Sequence, residues 1–254
     1  MTSADTVRPL LERFTGDAGR VLPLVALWAH GSLALGDFQP GRSDLDLIAL
    51  IRAAPTAAQR GELQRMHEAL PSQEPLAEKL HCSYVIETEL DDAGRNHLTW
   101  AHGELFDRPV TPVTRRELCL GGRTLLGPAP ATLVPPVTDG ELNDFIRADL
   151  RDYWYPHTAR ADVWLTDIWV DLGLLTFARA TVTLADGRLI TKREALEVLA
   201  GLDAPADVLR DIHQRRYGAA EPISEKWRAA RGELARGYLI ASIPRLLDET
   251  PGSR

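Results

Sequence analysis

The stretch His30-Gly31-Ser32-Leu33-Ala34-Leu35-Gly36-Asp37-Phe38-Gln39-Pro40-Gly41-Arg42-Ser43-Asp44-Leu45-Asp46-Leu47 decides how this chain is read. The apolar run at residues 22–29 ahead of it reads as a short buried strand feeding a tight turn at Gly31-Ser32. Residues 33–43, with Gly36, Pro40 and Gly41, read as a short helix and then a loop. Residues 44–51 read as a second strand, apolar except for its two carboxylates. On a strand, residues two apart share a face, so Asp44 and Asp46 stand side by side about 7 Å apart. Like charges so placed are costly unless a cation neutralises them. Paired hard oxygen donors suit Mg²⁺, which takes few carboxylates together with substrate phosphates. Upstream, Gly31 lets the backbone approach a ligand closely, and the N–H groups of the turn, with the Ser32 hydroxyl, can hold a phosphate. A Gly-Ser alone is usually a turn, and an Asp-x-Asp alone is usually a solvated strand face. The two together, between two apolar runs, form a specific pattern.

Working outward, residues 3–14 carry a helical stripe of Val7, Leu10, Leu11 and Phe14. Residues 56–70 read as a helix, and residues 80–88, with Tyr84, Val85 and Ile86 at the centre, as a third strand. The order strand, turn, strand, helix, strand implies a mixed sheet with helices packed on it. Residues 117–136 are rich in Gly and Pro, which sets an expected domain boundary near residue 130: a first domain over 1–130 and a second over 131–254. Beyond Thr138 the pattern is wholly helical, with helices expected at about 138–153, 161–185, 191–200, 204–217 and 222–247. Pro222 is expected to open the last of them. The fold class is therefore α+β, a mixed-sheet domain followed by an all-helical one.

The chain has 254 residues and a net charge of −7. That balance argues against a surface that coats nucleic acid, which would be basic. It is compatible with a cationic substrate, although acidity also serves plain solubility. The two cysteines, Cys82 and Cys119, form no CxxC pair, and Cys82 reads as a small buried hydrophobe. No apolar stretch reads as long enough to span a bilayer and the N-terminus does not read as a signal peptide. A cytoplasmic protein with reduced thiols and no membrane partner is expected.

The segment from His30 to Gly36 followed by Ser43-Asp44-Leu45-Asp46-Leu47 resembles the bacterial aminoglycoside nucleotidyltransferases of the DNA polymerase β superfamily, in particular the streptomycin/spectinomycin 3″/9 adenylyltransferases. Leu125-Leu126-Gly127-Pro128 resembles that family's domain junction. The segment from Leu175 to Arg179, with Asp186-Gly187-Arg188 and Lys192, resembles its later helix, turn and Lys-bearing helix start. The resemblance implies a polymerase β-type nucleotidyltransferase domain followed by a helical domain. It implies that ATP and Mg²⁺ bind between the two, and that AMP passes to a drug hydroxyl with loss of pyrophosphate. Metals would neutralise phosphate charge, and a side chain would take the hydroxyl proton. Asp44 and Asp46 would be the metal ligands. Gly31, Ser32, Arg42, Ser43 and Lys192 would contact the nucleotide.

The chain departs from the family where a Glu usually stands as base on the third strand. Here the matching run is Leu80-His81-Cys82-Ser83-Tyr84-Val85, with His81 in the Glu position. Glu87 would lie roughly 20 Å along the strand, and Glu78 would point to the opposite face. Three readings follow. His81 is the base, since imidazole titrates in the useful range; the acceptor needs no strong base; or the protein binds nucleotide without efficient transfer. Thr191-Lys192-Arg193-Glu194 reads as a capping box. Its two cations oppose the helix dipole, so they either meet an anion, the phosphates that the resemblance implies, or point into water.

Residues 139–171 are rich in Asp and aromatic side chains, a combination that suits a polycationic hydroxylated ligand. On the helix expected from about 161, Trp164, Asp167 and Asp171 fall on one stripe that can face a substrate. Leu165, Ile168, Trp169, Leu172 and Leu175 form another stripe, expected in the core. The other reading of the first stripe is a solvated acidic face. Three functions compete: an aminoglycoside-type adenylyltransferase; the same chemistry on another antibiotic, a metabolite or a protein; and a catalytically weak nucleotide-binding protein. A polymerase or tRNA-modifying enzyme is disfavoured, because no basic stripe is present.

Overall fold

Alternating apolar residues on each side of the Gly31 turn build the centre of a sheet. β1 (Leu24–Ala29) runs antiparallel to β2 (Leu45–Ile51), and between them the chain makes a one-turn helix, α2 (Gly31–Ala34). The computed structural model describes residues 3–219 and 221–248. The chain divides into two compact units between Val137 and Thr138, a little C-terminal of the Gly/Pro-rich junction.

In the first unit, α1 (Ser3–Val21) precedes β1, and α3 (Ala57–Ala69) connects β2 to β3 (Leu80–Ile86), which is parallel to β2. Then come β4 (Asn96–Ala101), β5 (Glu104–Pro109), α4 (Pro112–Gly121), β6 (Arg123–Leu126) and α5 (Pro130–Leu133). The sheet is six-stranded among the described residues, in the order β5-β4-β3-β2-β1-β6. It is mixed, as the sequence implies, but twice as rich in strands as the three apolar runs suggest.

Each central strand is buried on both faces. Leu27, Leu45, Leu47, Ala49, Leu80, Cys82 and Tyr84 join α1 and α3 residues such as Phe14 and Leu63 in one core. Trp28, Ile48, Leu50 and Val85 join Leu118 of α4 in the other. Cys82 is fully buried as expected, and burial pushes its thiol up to about 12. The period of 2 along a strand puts Asp46 and His81, whose neighbours all belong to the α1/α3 core, on the α4 face of the sheet.

The second unit is helical: α6 (Asp139–Ala148), a π-turn at Asp149–Trp154, α7 (Tyr155–His157), a 3₁₀ turn at Val163–Leu165, α8 (Asp167–Asp186), α9 (Lys192–Gly201), α10 (Ala206–Tyr217) and α11 (Glu225–Asp248). The π-turn has a local cause. Pro156 has no N–H to give the carbonyl four residues back and its ring would crowd that carbonyl, so the helix widens just before it.

Four sequence expectations are corrected here. The helix expected from about 161 is broken by Thr166, which is extended (φ −97°, ψ 149°), so Trp164 belongs to the 3₁₀ turn and not to α8. The second apolar stripe is not all core: Leu165 is 45% and Ile168 57% exposed, while Leu175 is buried. The last helix begins at Glu225, after Pro222, because the Ser224 hydroxyl accepts the Trp227 N–H at 3.1 Å and caps it. Finally, α8 is long and apolar enough by composition to cross a membrane. In this fold it is a core helix, with Val170, Leu174, Leu175, Phe177 and Ala178 buried.

Candidate active site

Gly31 sits at the end of β1 with φ +61°, a conformation that L side chains rarely adopt. It packs directly on Asp46: a Cβ at position 31 would lie 2.9 Å from Asp46 Oδ2. The sequence reading assigned Gly31 to close approach by a ligand, and what it approaches here is the Asp46 carboxylate. The N–H of His30 donates to the Asp46 carbonyl at 3.0 Å, which ties turn and strand together. The Asp37 N–H donates to the Ser32 carbonyl at 2.9 Å and closes the turn after α2.

Asp44 precedes β2 by one residue, and Asp46 lies within it. Both side chains are partly exposed, 40% for Asp44 and 27% for Asp46. Each has a cationic or basic neighbour from the β3 side. Lys79 Nζ lies 3.9 Å from Asp44 Oδ1. His81 is the register partner of Asp46 in the parallel β2–β3 ladder, with its Nδ1 3.5 Å from Asp46 Oδ1. The His81 side chain is only 7% exposed, and the ring of His102 meets it edge to face at 4.7 Å. The structure thus brings Gly31, Asp46 and His81 together, with Asp44 two residues before Asp46. Neither alternative carboxylate lies on β3: Glu78 is in the 3₁₀ turn before the strand and Glu87 in the one after it.

The other first-unit candidates are placed differently. Ser43 is buried, and its hydroxyl accepts the Gln39 N–H at 3.0 Å while its own N–H donates to the Gln39 carbonyl at 2.9 Å. It closes the loop that delivers Asp44. Arg42 is exposed beside it.

In the second unit, Lys192 is the first residue of α9, whose capping box of Thr191 and Glu194 is present as expected. Beside it, the Arg193 guanidinium lies over the Tyr217 ring at 3.9 Å. Trp164 is 1% exposed and its Nε1 donates to the His157 carbonyl at 2.9 Å. Its ring is seated against Gly173 and its backbone against Gly232. That makes it a core residue, not part of an exposed stripe. Asp171 is buried and paired with Arg215 at 2.5 Å. Asp167, half-exposed, pairs with the fully buried Arg231, which also holds Asp211 at 2.8 Å. Burial acts to raise the Asp211 pKa, and hydrogen bonds from Arg231 and Arg215 outweigh it, holding this carboxyl below its ordinary value.

Sequence reasoning missed Lys79, His102 and the His30–Glu117 pair. The last joins β1 to α4 through Nδ1 and Oε2 at 3.2 Å, with both side chains buried. Lys79 could be found only by aligning β2 with β3. His102-Gly103 carries no Asn-Gly or Asp-Gly signal to mark its hairpin.

No protein-family model matches the chain, and no curated protein matches it in sequence. Among solved structures, its fold is similar to that of the spectinomycin adenyltransferase AAD(9) from Enterococcus faecialis, solved with ATP and spectinomycin. The TM-score is 0.68 over 96% of this chain and 98% of that one, at 14% identity, a likeness of fold between the two proteins.

Proposed function

We propose that this chain is an ATP- and Mg²⁺-dependent nucleotidyltransferase that moves AMP to a hydroxyl of a small molecule. The observation that carries the reading is the seating of the Gly31 turn on Asp46, with Asp44 two residues before it and His81 in register beside it. The shared fold with an adenyltransferase solved with ATP and spectinomycin supports it. Residues 1–130 form the nucleotidyltransferase domain in this reading and residues 131–254 the helical one.

Among the described residues no group of three or more His, Cys, Asp or Glu is arranged to hold an ion. Two carboxylates at the entry of β2 nevertheless fit Mg²⁺, which takes few protein ligands and completes its shell with phosphate oxygens and water. Asp44 and Asp46 would hold it, and when bound it supplies neutralisation of phosphate charge. The Gly31–Ser32 turn, with Arg42 nearby, holds the triphosphate. Ser43 acts indirectly by shaping the loop. The acceptor oxygen bonds to the α-phosphorus as the bond to the β-phosphate bridging oxygen breaks, and pyrophosphate leaves. His81 takes the hydroxyl proton. Its Nδ1 lies on the Asp46 side at 3.5 Å, so Nε2 is the ring nitrogen turned away from that carboxylate.

The acceptor class is a hydroxylated, cationic small molecule of the streptomycin or spectinomycin kind. Asp167 is the remaining exposed member of the expected acceptor set, because Trp164 is in the core and Asp171 is held by Arg215. One observation favours a second reading, the same transfer to another antibiotic, a metabolite or a protein: the acidic residues best placed for a polycation already carry arginine partners. In this reading the protein is cytoplasmic with reduced thiols, and both cysteines are free.

The test is pyrophosphate release from ATP and Mg²⁺ with streptomycin, spectinomycin and a wider aminoglycoside panel, run beside Asp46→Ala and His81→Ala. Release that needs a drug, is abolished in the first variant and falls sharply in the second is expected. Binding of ATP without release for any drug would remove the drug acceptor and leave the second reading.

A further inference from the structure

We infer that His102 is a positioning residue for His81, an inference that rests on the reading of His81 as proton acceptor. β4 and β5 pair Ala101 with Glu104, so His102 and Gly103 form the two-residue tip of their hairpin. Both have positive φ, 55° and 83°. That is the backbone of a type I′ turn, whose first position favours Asn, Asp or Gly. Histidine is one of the few non-glycine residues enriched in this left-handed region, so the turn can present an imidazole at its first position. That imidazole meets the His81 ring edge to face at 4.7 Å with an interplanar angle of 68°.

His81 is therefore held from two directions. Asp46 Oδ1 stands 3.5 Å from its Nδ1, and the His102 ring closes over it from the hairpin tip. That separation from Asp46 is longer than an ordinary N–H···O hydrogen bond, which spans about 2.7–3.2 Å, so Asp46 alone leaves the imidazole loosely oriented. His102 is itself exposed while His81 is not. It thus acts as an outer wall that fixes the ring and keeps water from it. A base must stay within hydrogen-bond reach of its proton, and small misplacements cost rate steeply.

The test variant is His102→Asn. Asparagine is well suited to positive φ at this turn, so the hairpin is preserved or improved while the ring is removed. Thermal stability is expected to stay level or rise. The kcat for pyrophosphate release is expected to fall on the order of tenfold to a hundredfold, with KM for ATP within about twofold, because the loss is in the transition state and not in nucleotide binding. In the imidazole region of long-range ¹H–¹⁵N NMR spectra, the His81 signals, assigned by their loss in His81→Ala, are expected to shift in His102→Asn. An unchanged kcat would overturn the proposal, as would a fall in kcat matched by a fall in stability, or unmoved His81 signals. A His81→Ala protein as fast as wild type would instead overturn the reading of His81, and this proposal with it. Should the acceptor panel give no turnover, the NMR comparison decides alone.

Discussion

Replacing Gly31 by Ala tests the packing of the turn on the Asp46 carboxylate of β2, and Gly36→Ala supplies its control. Both glycines have positive φ, 61° and 77°, so each alanine carries the left-handed penalty of about 1–2 kcal/mol. Their surroundings differ. A Cβ at Gly36 meets nothing within 4 Å, whereas at Gly31 it would lie 2.9 Å from Asp46 Oδ2 and 3.7 Å from Asp46 Cγ. The obstructing atom is the end of a rotatable carboxylate, so the clash is relieved by turning Asp46 and not by breaking the core. The two variants should therefore lose similar stability, about 1–2 kcal/mol each, in urea denaturation followed by tryptophan fluorescence. Only Gly31→Ala should lose function, because the carboxylate that turns is the one assigned to the metal. Its pyrophosphate release should fall at least on the order of tenfold, while Gly36→Ala stays near wild type. Equal activities in the two variants would refute the reasoning, since they would mean that Asp46 can turn without consequence. A Gly31→Ala protein far less stable than Gly36→Ala would refute it differently, by showing that the backbone and not the carboxylate yields.

His67 is buried against Trp100, with ring centroids 4.7 Å apart, and its Nε2 meets the Tyr84 hydroxyl at 2.8 Å; burial lowers its pKa from 6.5 to about 3. Between those values the unfolded chain binds one proton more than the folded one, so stability should fall as pH falls, by up to about 1.4 kcal/mol per pH unit. Urea midpoints measured from pH 7 to 4 should show that slope flattened in His67→Gln, and an unaltered slope would count against it. Gly173→Ala should destabilise by up to about 2 kcal/mol: helix propensity gains about 1 kcal/mol, but the new Cβ would lie 2.6 Å from Trp164 Cη2 in a core where overpacking costs about 1–3 kcal/mol. A stabilised Gly173→Ala protein would mean that the indole has room to move. Arg231→Met should cost about 3 kcal/mol, the lower end for breaking a buried ion pair, since Asp211 keeps Arg215. Asp167→Asn, at a half-exposed carboxylate, should cost less than about 1 kcal/mol by the same denaturation assay, and a reversed order would contradict the assigned burial.

What the sequence made legible was local. The Gly31 turn, the two carboxylates and the strands on each side lie within thirty residues, and their apolar alternation and turn residues carry their own geometry. His81 was legible only through the resemblance, as the residue standing where a Glu is usual; the apolar run at residues 80–88 reads as a strand but does not by itself pair His81 with Asp46. The β4–β5 hairpin was missed because its tip is His102-Gly103 and not Asn-Gly, and because β5 alternates weakly, with Leu105 and Phe106 only half-buried. β6 was hidden inside the Gly/Pro-rich stretch, since an edge strand of four residues has no period to read. Glu117 stands 87 residues from His30, and no spacing rule joins them. In the helical unit the failure was one of phase. A helical count run through Thr166 put Trp164 on a stripe with Asp167 and Asp171, although one extended residue separates that ring from their helix.

Two imidazoles flank Asp46 in the folded chain, and their partners divide their roles. His30 follows β1 and donates its N–H to the Asp46 carbonyl, but its ring turns to Glu117, within hydrogen-bond range at 3.2 Å and buried on both sides. A histidine so held is orientated for the life of the fold. His81 faces the Asp46 carboxylate at 3.5 Å, too far for an ordinary hydrogen bond and in a site whose carboxylates are partly exposed. Of the two, His81 is the one that can exchange its contact when a ligand enters without breaking a buried pair. A glutamate at 81 would put a third carboxylate beside Asp44 and Asp46, with Lys79 as their nearby cation, and like charges so close resist ionising together. The imidazole at 81 adds no negative charge to that pair.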